Sequence, residues 1–142
     1  MPRRLLLAAV LCGAVLCASA VVATEVARLV QRGTLAAIAP ISEIEVQDGH
    51  VSGTLSNRSS HSLRQVQIMI SYQWLWTNEM HPGEESPADA DIVTFPEEMA
   101  PGGTVRFTRV IPPQLLGRID GSLQVSARVV SLEEIIPGAA AR

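Results

Sequence analysis

A chain of 142 residues, 47% of them hydrophobic, is long enough for one domain around a single core and too short for two. Its 14 acidic residues outnumber 11 cations, all of them arginine, so the net charge is −3; nucleic acid is excluded as a partner, because a phosphate backbone demands clustered cations. Both cysteines, Cys12 and Cys17, fall within the first apolar run, so the rest of the chain has neither a disulfide nor a thiol ligand and depends on packing.

The N-terminus has the parts of a secretory signal. Met1-Pro2-Arg3-Arg4 is positively charged, Leu5 to Cys17 is continuously apolar, and Ala18-Ser19-Ala20 offers small residues for a cut after residue 20. Val21-Val22-Ala23 satisfies the same rule three residues later. The competing reading is an uncleaved anchor over residues 5–23, since about twenty apolar residues suffice to span a bilayer. Lipid attachment takes a small residue before the cysteine, and Leu11 and Leu16 stand there instead. Either topology predicts an exported domain, periplasmic or in the cell envelope, touching membrane only through that anchor.

From Thr24 to Arg32, a capping Thr, apolar Val26, Leu29 and Val30, and the stop at Gly33 predict a short helix, within a helix or linker over 21–40. From Ile41 the apolar period becomes two, the pattern of half-buried strands. Ile44 and Val46 before Asp48-Gly49, with Val51, Gly53 and Leu55 after it, predict a hairpin. Val66, Ile68, Ile70, Tyr72, Trp74 and Trp76 form one face of a long strand, opposite Gln65, Gln67, Ser71 and Gln73. Further strands are expected at Ile92 to Phe95, at Val105 and Phe107 after Pro101-Gly102-Gly103, and at Leu123 to Val129 after Asp120-Gly121. The expected fold class is therefore all-β, an Ig-like antiparallel β-sandwich of about six to seven strands over 41–135, with a frayed tail over 136–142.

The run Val51-Ser52-Gly53-Thr54-Leu55-Ser56-Asn57, the long strand, and Pro101-Gly102-Gly103-Thr104-Val105-Arg106-Phe107 together resemble the layout of FxLYD-type bacterial exported Ig-like domains. In that layout a strand with a central glycine ends at Asn, and a Pro-Gly turn introduces a strand carrying Phe. The resemblance spans Ile44 to Val129; it implies an envelope location and no catalytic residues.

The densest chemistry lies between Tyr72 and Asp91. Tyr72, Trp74, Trp76, Glu79 and His81 are candidate contacts for a ligand or partner, because rigid aromatic rings give contact area at small entropic cost. The same alternation also places Tyr72, Trp74 and Trp76 in the core. Seven acids, Glu79, Glu84, Glu85, Asp89, Asp91, Glu97 and Glu98, supply oxygens of the kind calcium takes, without the ordered spacing of a calcium loop. Met80 and His81, with Met69, Met99, His50 and His61, carry the donors that copper selects. Glu84 and Glu85 are adjacent, a poor geometry for a glycosidase pair. His81 has no serine elbow near it, so a hydrolase is the weakest reading. Asn57-Arg58-Ser59 has the form of a glycosylation acceptor. The composite expectation is a non-catalytic binding or assembly module without a cofactor, whose partner is a protein or another envelope component. The alternative is a metal-handling envelope protein, for copper or calcium, using Met80 and His81 or the acids after them.

Overall fold

The computed structural model describes residues 25–77 and 85–138. Every alternating segment after Ile41 is a strand: β2 (Ile41–Gln47), β3 (His50–Ser56), β4 (Ser62–Trp76), β5 (Ala88–Phe95), β6 (Thr104–Val110) and β7 (Gly121–Pro137). A further strand, β1 (Glu25–Leu29), and a single turn of helix, α1 (Leu35–Ile38), precede them. The strands form two antiparallel sheets, ordered β1-β7-β4-β5 and β2-β3-β6, so the fold is an all-β sandwich. Among the described residues no helix is long and apolar enough to cross a membrane.

The hairpin forms because Asp48 and Gly49 both take positive φ, 50° and 74°, and leave Gln47 paired with His50. Two consecutive left-handed residues give the turn whose twist matches its strands, and Asp-Gly is the pair that tolerates it. In β4 the residues Val66, Ile68, Ile70, Tyr72 and Trp74 are buried, as alternation requires. Leu63 is buried too, although it is an odd number of residues from Val66. A bulge reconciles them: Gln65 takes φ 51° and the register with β7 shifts between Arg64 and Gln67. The extra residue returns the side chains to the core face.

Two expectations are corrected. The helix expected over Thr24 to Arg32 gives way to a strand: residues 25–29 form β1, paired with residues 133–137 of β7, a 3-10 turn spans Arg32–Thr34, and the only α-helical turn among the described residues comes later, at α1. A helix of nine residues is marginal in isolation. All five residues of β1 are exposed, so no buried apolar face rewards a helix, while β7 offers an edge to pair with. The tail does not begin at residue 136 either, since β7 continues through Pro137; residues 139–142 and the leader lie outside the described residues.

Glycine in the middle of β3 has a steric cause. Gly53 pairs with Phe107 across the β3–β6 ladder, and a Cβ there would stand 2.6 Å from the Phe107 ring and 2.8 Å from Ile44. The absent side chain is the space that lets Phe107 fill the core. At the end of β3, buried Asn57 donates its amide to the carbonyls of His61 and Met99, both at 2.9 Å. Its backbone bonds Gly102 and Gly103. The Asn and the Pro-Gly-Gly turn thus close one end of the sandwich together. An amide so engaged is not open to glycosylation in the folded protein. Replacing Gly53 with Ala is expected to destabilise the domain by about 1–3 kcal/mol, through displacement of Phe107, as read from urea unfolding.

Candidate functional site

The connections sort to two ends of the sandwich. Glu25, Pro137 and the 57–61 and 96–103 connections share one end, held by the Asn57 bonds. The Asp48-Gly49 turn, the end of β4, the start of β5 and the 111–120 connection share the other, where Trp76 pairs with Gly121. A strand of 17 residues separates the two, about 55 Å along β7 if fully extended.

The second end is built on aromatic rings. Trp74 and Trp76 project from the same face of β4, and the Arg118 guanidinium lies 5.4 Å from the first ring centroid and 4.8 Å from the second. Each such contact contributes about 0.5–2 kcal/mol, the more when water is excluded. Asp120 holds Arg118 from the other side, with contacts of 3.3 and 3.2 Å. Thr77 donates its amide to the Asp120 carbonyl at 3.0 Å, which carries the β4–β7 ladder one residue past the strand. Gly121 closes the cluster, because a Cβ there would lie 2.2 Å from the Leu75 carbonyl and 2.5 Å from Trp74 Nε1. That nitrogen is buried without a partner, a cost of about 1–3 kcal/mol. The result is a rigid rim from which Ile119, between two pinned neighbours, stands 98% exposed.

The sequence-predicted contact residues divide. Tyr72 and Trp74 are core residues, 1% and 4% exposed, and present no ring to solvent; Trp76 is half-buried against the core. Tyr72 reaches the sheet edge only through its hydroxyl, which donates to Asp91 at 3.3 Å, and burial, then the Asp91 charge, pushes its pKa up to about 12. Glu79, Met80 and His81 lie outside the described residues. Arg118 and Ile119 escaped the sequence reading, since nothing in their own neighbourhood shows that the chain returns to Trp74 and Trp76.

A second polar cluster sits at the opposite end. Glu134, 4% exposed, accepts from Arg28 at 2.7 Å, from the hydroxyl of Ser59, and lies 3.1 Å from His61 Nδ1. Acid, imidazole and hydroxyl are therefore together, but Ser59 bonds the carboxylate instead of the imidazole. That order suits a clamp between β1, β7 and the 57–61 connection; the Ser60 hydroxyl lies 3.4 Å from the same His61 Nδ1 that faces Glu134, whereas a triad relay places acid and hydroxyl on opposite ring nitrogens. The Ser59 bond, despite opposing desolvation, and then Arg28 and His61, hold the Glu134 carboxyl down at about 2. Among the described residues no three His, Cys, Asp or Glu side chains converge on a metal-sized site. Met69 lies on the outer side of β4, Met99 is buried, and His50 bonds the Asp48 carbonyl.

No protein-family model, no curated protein and no solved structure matches this chain.

Two outcomes follow from these clusters. A carboxyl held low in the folded state contributes stability that is complete above its unfolded value, near 4.5, and drains as pH falls toward about 2. Glu134→Gln is expected to remove that acid limb from the pH profile of thermal unfolding. Gly121→Ala is expected to push Trp74 aside, at a cost of about 1–3 kcal/mol, and to change the near-ultraviolet circular dichroism of the indoles.

Proposed function

We propose that this protein is an exported, non-catalytic binding module that engages a protein partner through the rim around Trp76, Arg118 and Ile119. The observation that carries this reading is the display of Ile119. A large apolar side chain, 98% exposed, stands between Arg118 and Asp120, which are fixed to each other and, through Arg118, to the Trp74 and Trp76 rings. Exposed apolar side chains are common; one held out on an immobilised support binds without an ordering cost. Leu75 and Leu116, both 41% exposed, add apolar surface at the same end. The leader grammar of residues 1–23 supports export, and its junction at Glu25 lies at the opposite end, which leaves the rim accessible.

A photoreactive residue placed at Ile119 in the full chain, and separately at Arg58 as the control from the opposite end, tests this in the producing cell. The expected result is a protein adduct from position 119 in the exported fraction and none from position 58. Equal labelling, or no adduct from 119, overturns the reading.

A further inference from the structure

We infer that the open edge of β7 is a homodimer seam, in which two copies pair antiparallel about an axis at Gln124 and each seats Ile119 in a groove beside α1 of the other. The pairing rests on the reading of the rim as a contact surface, and names a second copy of this chain as its partner.

The edge is open because β7 outlasts β1. On one side β7 pairs with β4 from Gly121 to Ile135; on the other it meets β1 only over 133–137, with one further bond from the Val30 amide to the Leu132 carbonyl. From Gly121 to Ser131 no strand among the described residues occupies that second side. Every other edge is guarded in one of the ways natural sheets use. β5 carries Asp89 and Asp91, β6 carries Arg106 and Arg109, and β1 is five residues long with Glu25 and Arg28. β2 has a register break between Ser42 and Glu45, with Glu43 at φ 55°. Self-pairing of β5 or β6 would oppose like charges, whereas Gly121 to Ala127 contains no charge and no proline.

The sequence of that edge is complementary to itself. In Asp120-Gly121-Ser122-Leu123-Gln124-Val125-Ser126-Ala127-Arg128, an antiparallel pairing about Gln124 sets Asp120 opposite Arg128, Ser122 opposite Ser126, and Leu123 opposite Val125. The even positions Ser122, Gln124, Ser126 and Arg128 are the exposed face, and Leu123, Val125 and Ala127 are the half-buried one. One layer of the seam is therefore polar with an ion pair at each end, and the other continues the apolar interior. An axis moved to either end of the segment would set Asp120 or Arg128 against its own copy. Asp120 belongs to the ladder, since Thr77 bonds its carbonyl.

The same register explains the groove. It measures about 500 Å³, and Leu35, Ala39, Ile41 and Val129 line it together with the two arginines Arg32 and Arg128. Continued one step beyond Asp120, the pairing brings Ile119 of one copy opposite Val129 of the other, a residue of the groove's wall. Ile119, the most exposed large apolar side chain among the described residues, thus meets a recess with apolar walls on the second copy.

The test uses the full chain, recovered after export, with Cys12→Ala and Cys17→Ala so that no native thiol interferes. Sedimentation at micromolar concentration is expected to give twice the chain mass. Gln124→Cys in that background is expected to cross-link completely to dimer on mild oxidation, because directly opposed strand residues fall within disulfide reach. Gln124→Lys, on the exposed face and harmless to the core, and Ile119→Asp are each expected to sediment as monomers with unchanged circular dichroism. A monomeric parent protein overturns the proposal, as does a dimer that Gln124→Cys fails to trap. The photoreactive probe at 119 separates the two readings. An adduct of twice the chain mass supports both, and an adduct with a different protein keeps the rim and overturns the second copy. No adduct at all overturns the rim.

Discussion

The pairing of β4 with β7 is the constraint on which the remainder of the domain rests. It joins 15 residues to 17, and its inner face carries the core from Leu63 to Trp74. Each fully buried Leu, Ile or Val on that face contributes about 1.5–3 kcal/mol relative to exposure. No disulfide is available after residue 17 to supplement that packing. Because side chains alternate strictly, a slip of one residue would turn the apolar set to solvent, so burial fixes the register without a covalent staple. The bulge at Gln65 is what lets so long a ladder keep Leu63 and Val66 on one side.

What could be read from the sequence was whatever depends on neighbours along the chain. Alternation from Val66 to Trp76 is visible in the residues themselves, and Asp48-Gly49 carries its turn geometry in its own conformational preference. The all-β class follows from counting such segments. β1 was misread because Glu25 to Leu29 has no buried face to mark its period; its strand state comes from the free edge of β7, more than a hundred residues away. The Ser59, His61 and Glu134 cluster was unreadable for the same reason. Its members are ordinary surface-type residues until the β4–β7 register brings residue 134 beside Leu63.

The candidate site was legible in part. Trp74 and Trp76 stand out as large rings at a strand end, and alternation correctly places them toward the core, with Trp76 at its margin. Arg118 carries no such mark. A lone arginine between Gly117 and Ile119 reads as a solvated loop residue, and only the return of the chain at Gly121 brings it over the rings. The glycines were informative in kind but not in cause. Gly121 reads as a turn residue, yet its missing Cβ makes room for Trp74 and the Leu75 carbonyl; Gly53 reads as a weak point in a strand, yet its missing Cβ holds Phe107.

These particulars join the rim to the sheet. Asp120 fixes Arg118 through its side chain while its carbonyl extends the β4–β7 ladder to Thr77, so one residue sets both the posture of the rim and the start of the register along β7. Ile119 is therefore not on a loop free to relax into the nearest apolar crevice. Its direction is set by strand geometry, and its exposure persists because relaxation would break the stack on Trp74 and Trp76 or the bond to Thr77. An apolar residue kept outside by the same contacts that stabilise the sheet is a feature of the fold's native arrangement, so the proposed contact surface and the stability of the sheet rest on a single set of side chains.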